Sequence, residues 1–301
     1  MTRMHIFTCS VYPDLTQLWY HVLSRTFRGG IPRTLIFDCG GNLRTERFPG
    51  ADVRRVPNLE HGRKVDLALG QMSDAEFVLV LDDDVFPLNH MIIERAISTL
   101  RAQRQMAAYS FLQRDWWKIP AAGALHVPMG SYALLVRRGV ILEEGLSFET
   151  RRTSDPAIRN GTGYWDTADY CQKELLERGY TIGYAPEEDR IDIPTFFGTS
   201  GGFLTFARKS LLGRRYVRRR SRRRAMKEVV ADHYAFQRAC SICAVKEVHR
   251  RLLSERPSFD DWFSEGELRG LGDAASDDEQ RRQYLATADR VFEIRDRLLS
   301  A

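Results

Sequence analysis

The sequence predicts an α/β domain over residues 1–205 followed by a basic, helical extension over 206–301, and three observations carry that prediction. Short apolar runs alternate with segments of helical period through the first part. One of those runs, Phe77-Val78-Leu79-Val80-Leu81, is apolar on both faces, as expected of a central parallel strand covered by helices on each side. Beyond Ser210 the strand signals stop, and no acidic residue occurs between Asp192 and Glu228 while arginines crowd the interval.

Composition sets the outer bounds. A chain of 301 residues that is 43% hydrophobic and 28% charged has enough apolar material for a large core and excludes a disordered polymer. No apolar run approaches the roughly 18 residues needed to span a bilayer, and the first residues lack the apolar stretch of a signal peptide, so a soluble cytoplasmic protein is expected. Five scattered cysteines, an odd number, argue against a disulfide framework.

In chain order, strands are expected at residues 5–9, 34–37, 77–81, 107–111, 131–136 and 181–184. Helices are expected at 14–27, 64–72, 89–104 and 167–178, the last stopped by Gly179. The extension reads as helices over 225–253 and 279–299, joined by a polar, Pro- and Gly-bearing connection around 255–278.

Asp82, Asp83 and Asp84 follow the buried run directly, which places three carboxylates at the carboxyl end of a strand, where open α/β sheets bind their ligands. Alternate residues of an extended stretch point the same way, so Asp82 and Asp84 share a side. Carboxylate oxygens suit Mg²⁺ or Mn²⁺, and such an ion completes its shell with substrate phosphate. A metal-bound diphosphate follows; the bland alternative is an acidic turn capping the helix that starts near Pro87. Asp166 and Asp169, three residues apart, open the helix at 167–178, where they serve either as ordinary caps or as a general base kept ionised by the helix end.

In their order these elements resemble a GT-A glycosyltransferase of the family-2 type, over residues 4 to about 205. Phe37-Asp38-Cys39-Gly40-Gly41-Asn42 stands where that family has its nucleotide-contacting Asp and turn, Asn58 with His61-Gly62-Arg63 follows, and Val80-Leu81-Asp82-Asp83-Asp84-Val85 is similar to the DXD motif. Gly130-Ser131 to Arg137-Arg138 and Gly145-Leu146-Ser147-Phe148-Glu149 stand in the place of the family's Gly stretch, Arg pair and acceptor-side turn. Trp165-Asp166-Thr167-Ala168-Asp169-Tyr170, backed by Arg178-Gly179-Tyr180 and Ala185-Pro186, resembles the acceptor-side acidic motif, most closely that of galactofuranosyltransferases.

The resemblance implies a mixed sheet flanked by helices and a metal-dependent, inverting transfer of a sugar from a nucleotide-diphosphate donor. It implies Asp38 and Asp82 as donor contacts, with Asp83 beside them a further candidate; Arg63 and Lys64 either neutralise the diphosphate or are solvated charge. Asp84 and Asp82 would bind the metal, joined by Asp192 where the family has a His unless Asp192 is simply a surface turn residue. Thr167 stands where the family often has a second acid, so the base would be Asp166 or Asp169, with Asp166 favoured. Asp38 leans the donor towards a uridine nucleotide. Trp165, Trp116 and Trp117 are candidate acceptor contacts, with Trp116 and Trp117 alternatively a buried aromatic pair, and the segment 194–202 is either a lid or a plain surface loop.

The basic tract, with Arg214, Arg215, Arg218, Arg219, Arg220, Arg222, Arg223 and Arg224, should seek a polyanion. It suits an anionic membrane surface next to an envelope or lipid-linked glycan acceptor, or nucleic acid carrying a hydroxylated base. Nucleotidyl transfer on a similar sheet lacks its Gly-rich, basic N-terminal loop here. A non-enzymatic polyanion-binding protein would rest on the tract alone.

Overall fold

The computed structural model describes residues 3–114, 117–153, 163–209, 216–218, 222–275 and 277–301, with backbone only at 201, 204–209, 216–218 and 222–225. In chain order its elements are β1 (Met4–Ser10), α1 (Pro13–Thr26), β2 (Thr34–Asp38), β3 (Ala51–Arg55), α2 (His61–Gln71), β4 (Phe77–Leu81), α3 (His90–Ala102), β5 (Met106–Ser110), β6 (Ile119–Ala121), β7 (Ala124–His126), β8 (Ala133–Arg137) and α4 (Arg138–Glu143). There follow β9 (Arg151–Arg152), β10 (Tyr164–Trp165), α5 (Asp169–Glu177), β11 (Thr181–Tyr184), α6 (Glu187–Arg190), α7 (Thr199–Phe206), β12 (Ala207–Lys209), β13 (Tyr216–Arg218), α8 (Arg222–Val229), α9 (His233–Leu253), α10 (Glu265–Asp273) and α11 (Asp278–Ser300).

Seven strands form one mixed sheet in the order β11-β5-β8-β4-β1-β2-β3. β1 runs parallel to β2 and β4, and β2 runs parallel to β3. β8 is antiparallel to both β4 and β5, so the apolar run 77–81 is central but parallel on one side only. That run is buried along its whole length, as its two-sided apolarity requires. β3 was not expected from the sequence. Ala-Asp-Val-Arg-Arg is half exposed because it is the sheet's edge, where charged side chains are at home. Because β1 to β4 are mutually parallel, their carboxyl ends, Ser10, Asp38, Arg55 and Leu81, fall on one edge of the sheet.

The chain divides into two compact units. The first holds Met1–Val11, Leu23–Asp83 and Asn89–Ile193, and its core joins Phe7, Phe37, Val78, Val80, Leu134 and Val136 of the sheet to Val65 and Leu69 of α2 and Leu175 of α5. The second gathers Tyr12–Val22, Asp84–Leu88 and Pro194–Ala301. There Phe236 of α9 stacks on Tyr284 of α11 at 4.4 Å, and the buried Lys246 ammonium is satisfied by the carbonyls of Trp262 and Phe263 at 2.8 and 2.9 Å. The expected helix 225–253 is two helices, and the connection 255–278 contains α10, started by a capping box of Ser264 and Glu267. Among the described residues no helix is long and apolar enough to cross a membrane.

Candidate functional site

The carboxyl edge of the sheet begins with a turn that one carboxylate organises. Asp38 ends β2 and is buried; its Oδ1 accepts the backbone N–H groups of Gly40, Gly41 and Asn42 at 3.1, 2.6 and 3.2 Å, and its Oδ2 accepts that of Leu43 at 3.1 Å. Three donors share Oδ1, and one uses Oδ2. Asp38 is therefore the organiser of this turn.

At the end of β4 the three aspartates part company. Asp83 is buried and accepts a hydrogen bond from the Ser10 hydroxyl at the end of β1, so it braces two strands. Asp82 keeps 36% of its side chain exposed and lies 3.5 Å from His61 Nε2. Asp84 belongs to the second unit, where its carbonyl accepts the N–H of Phe196 at 3.0 Å and Val85 bridges to Thr195. None of the three caps α3; Asn89 does that, accepting the Met91 N–H at 3.0 Å. Asp192 accepts the Asn89 side-chain amide at 3.0 Å, a staple on that cap. Among the described residues no group of three or more His, Cys, Asp or Glu is placed to hold a metal, and of the expected set Asp82 and Asp192 belong to the first unit and Asp84 to the second. The segment 194–202 is likewise no free lid. Pro194 and Phe196 pair with the 84–86 backbone, Phe196 and Phe203 are buried, and α7 begins at Thr199.

Helix α2 ties the sheet edge to the acceptor-side motif. Glu60 caps it, accepting the N–H groups of Gly62 and Arg63 at 2.9 and 3.0 Å, and also accepts the Thr167 hydroxyl at 3.2 Å. The next residue, His61, reaches Asp82 through Nε2 and sits 3.8 Å from the Cys9 sulfur through Nδ1. Lys64, one turn on, is buried; its only described hydrogen-bond partner is Asn58 Oδ1 at 3.2 Å. A buried ammonium without a carboxylate is a costly arrangement that an anion would relieve. Arg63 instead lies exposed beside Glu149, at 3.4 Å. The turn 145–149 is clamped onto α2 by Asp66, which accepts the Ser147 hydroxyl at 2.6 Å and the Phe148 N–H at 2.9 Å. Phe148 in turn accepts the Ala168 N–H at 3.1 Å, and Ala168 holds a left-handed φ of 72° immediately before α5.

The two acids of that motif have different environments. Asp166 is half exposed, with Oδ1 accepting the Thr167 N–H at 2.8 Å and Oδ2 paired with Arg114 Nη1 at 2.9 Å. Asp169 is fully buried and receives the other arm of Arg114, the Trp117 indole N–H at 3.2 Å and the Asp166 N–H at 3.2 Å. Burial pushes its carboxyl up to about 7, outweighing the neighbouring Arg114 guanidinium. Asp169 therefore holds the site together and cannot touch an acceptor, so the expectation that it is a candidate base is corrected. Arg114, 3% exposed and 4.6 Å over the Trp117 ring, is the residue that sequence reading missed. A lone Arg beside an aromatic pair carries no signal of what it will bridge.

Trp117 and Trp165 are both taken up inside the protein. Trp117 is spent on Asp169, and Trp165 is buried with Ile119, Ala121 and Tyr170. Trp116, Arg214, Arg215, Arg219 and Arg220 lie outside the described residues. Arg218 ends β13, and Arg222, Arg223 and Arg224 open α8. All five cysteines are free.

No family model matches the chain, and no curated protein does. Solved structures similar to it include a mannosyltransferase from Pyrobaculum calidifontis in complex with GDP-Man and Mn²⁺, at 13% identity over 97% of this chain and 74% of that one, TM-score 0.42. Another is CMP:2-keto-3-deoxy-manno-octonic acid synthetase complexed with CTP, at 13% identity over 61% and 89%, TM-score 0.39. A third is glucosyl-3-phosphoglycerate synthase from Mycobacterium tuberculosis, at 15% identity over 46% and 58%, TM-score 0.36. These scores are low, and the chemistry of the site rests on its own residues.

Proposed function

We propose that the protein is a glycosyltransferase that moves a sugar from a nucleotide-diphosphate donor to an acceptor hydroxyl. One observation carries this reading. The start of α2 links the exposed carboxylate at the sheet edge, Asp82 beside His61, to the half-exposed carboxylate Asp166 through Glu60 and Thr167, with the buried Lys64 ammonium on the same turn. A phosphate-facing cation and a proton-accepting carboxylate joined by one rigid element are what displacement of a diphosphate by a hydroxyl needs.

Lys64 offsets the charge of the diphosphate, which relieves its own burial. Asp166 accepts the proton of the acceptor hydroxyl as that oxygen bonds to the anomeric carbon and the bond to the diphosphate oxygen breaks, giving inversion. Arg114 and the Thr167 N–H hold one lone pair on each Asp166 oxygen and leave others free for the substrate. An Mg²⁺ or Mn²⁺ ion of the kind that takes a single carboxylate and completes its shell with phosphate and water suits the exposed Asp82, and would stabilise the leaving diphosphate as a Lewis acid.

The test starts from the nucleotide sugar that raises the melting temperature in the presence of Mn²⁺. Asp166→Asn is expected to lower release of the nucleoside diphosphate at least a hundredfold, the usual contribution of a general base, with donor affinity kept within about threefold. Turnover near wild type with the donor still bound overturns the assignment.

The basic tract belongs, in this reading, to the acceptor: a glycan on an envelope or lipid-linked carrier, met at an anionic surface. Deletion after residue 207 is a poor test, because Tyr12–Val22 and Asp84–Leu88 share a compact unit with the residues removed. Changing the eight arginines 214, 215, 218, 219, 220, 222, 223 and 224 to Gln is the cleaner one. The variant is expected to lose binding to vesicles containing phosphatidylglycerol at low salt, while nucleotide binding is unchanged; undiminished vesicle binding refutes it.

A further inference from the structure

The edge strand β3 and the turn organised by Asp38 enclose a cavity of about 310 Å³ lined by Cys39, Gly40, Gly41, Arg55, Val56 and Pro57. Ligand sites run from about 300 to 1,000 Å³, so this one is nucleoside-sized and too small for an oligosaccharide. Its donors are unevenly distributed. The N–H of Cys39 goes to the Ser10 carbonyl at 2.8 Å, those of Gly40 and Gly41 go to the Asp38 carboxylate, that of Val56 goes to the Asp38 carbonyl at 3.2 Å, and Pro57 has none. What remains is Arg55. Its guanidinium lies flat on Gly41, whose added Cβ would stand 2.9 Å from both Nε and Nη2, and among the described residues it has no carboxylate or carbonyl partner. Gly41, at φ 67°, is the residue that permits both the turn and this close approach.

Resting on the nucleotide-sugar reading above, we propose that Arg55 selects the donor's base, and that the base is guanine. Two considerations lead there. The first is position. β3 lies three strands from β4 in the sheet order, about 14 Å at a spacing of ~4.8 Å per strand. That is too far for Arg55 to share the diphosphate held near Asp82, and it matches the reach of a nucleoside laid across the edge of the sheet. The second is hydrogen-bond pattern. A guanidinium presents a planar pair of donors and needs two adjacent acceptors in one plane, which the O6 and N7 atoms of guanine supply. Uracil interrupts its two carbonyls with an N–H, and adenine offers N7 beside an amino donor, so neither fits. Cytosine has an adjacent acceptor pair in O2 and N3, but its O2 lies beside the glycosidic N1 and is flanked by the ribose, whereas the O6 and N7 edge of guanine is turned away from its sugar.

Calorimetric titration with GDP, UDP, CDP and ADP in Mn²⁺ buffer tests this on the full chain. GDP is expected to bind about ten to a hundred times more tightly than UDP and ADP, the discrimination of one bidentate pair, and more tightly than CDP. The analogue 7-deaza-GDP, which lacks the N7 acceptor, should lose most of that advantage. Arg55→Ala should bring GDP down to the level of UDP while changing UDP less than about threefold. Arg55→Lys separates base from phosphate, because a point charge rescues a phosphate contact but not a bidentate one. Equal rescue of all four nucleotides by Lys, UDP or CDP bound as tightly as GDP, or an equal loss for every nucleotide in Arg55→Ala each overturns the inference and leaves the donor reading standing. Failure of all four to bind sinks the donor reading and this inference with it. Arg55 is exposed at an edge strand, and an unchanged melting temperature of the unliganded variants shows that they fold.

Discussion

Arg114→Ala is expected to lower the melting temperature by roughly 10 °C at pH 8 and to cost far less at pH 5.5. Arg114 joins the buried Asp169 to the half-exposed Asp166, and removing one partner of a buried pair typically costs about 3–5 kcal/mol, or a few degrees for each kcal/mol in a unit of this size. The pH dependence follows from Asp169. Its carboxyl is held at about 7 in the folded protein against 3.8 as its ordinary value, so the folded state binds its proton more tightly than the unfolded state. Stability from this group is therefore complete below about 3.8 and falls as the pH rises towards 7. Removing Arg114 deletes the cation that opposes burial and raises the folded value further, so the fall continues past neutrality. Melting curves of both proteins from pH 5 to 8.5 should diverge with rising pH. Parallel curves mean that Asp169 does not depend on Arg114.

The second large effect runs against the usual sign of its substitution. Replacing a helical Gly by Ala generally stabilises by up to about 1 kcal/mol. At Gly62 an added Cβ would stand 2.0 Å from the Phe148 carbonyl oxygen, 2.4 Å from its carbon and 2.7 Å from the Glu149 nitrogen, all backbone atoms. Gly62→Ala is therefore expected to destabilise by at least about 1–3 kcal/mol, as overpacking does. It should also push the 147–149 turn away from α2, spoiling the placement of Glu60, His61 and Lys64 and weakening nucleotide binding at least tenfold. An added Cβ at Gly70 of the same helix would meet nothing within 4 Å, so Gly70→Ala should leave binding unchanged and stability equal or slightly higher. Equal unfolding midpoints in urea for the two variants would contradict the close approach.

Much of the frame was legible because it depends on period and local chemistry. The apolar run 77–81, the helix ending at Gly179 and the acids after β4 are read from neighbours within a few residues. Strand β3 escaped because an edge strand needs no apolar run, although the Ser264/Glu267 capping box of α10 was a local signal that was passed over. The site divided in the same way. Asp82 and Asp166 are where strand and helix boundaries put them, whereas Asp38, Asp83, Asp169, Asp192, Trp117 and Trp165 bear side chains whose use depends on what the fold brings against them.

By itself, then, the sequence determined an α/β sheet with a carboxylate cluster at the carboxyl end of its central strand and an acidic pair at a helix start, since hydrophobic period and capping chemistry act over one or two turns. Only the tertiary structure decided which acids are open to a ligand. Asp166 and Asp169 sit three residues apart with the same side chain, yet one is half exposed and the other fully buried because Arg114, 52 and 55 residues away in sequence, packs between them and Trp117. Desolvation and hydrogen-bond occupancy depend on such distant partners, and those partners leave no periodic trace in the chain.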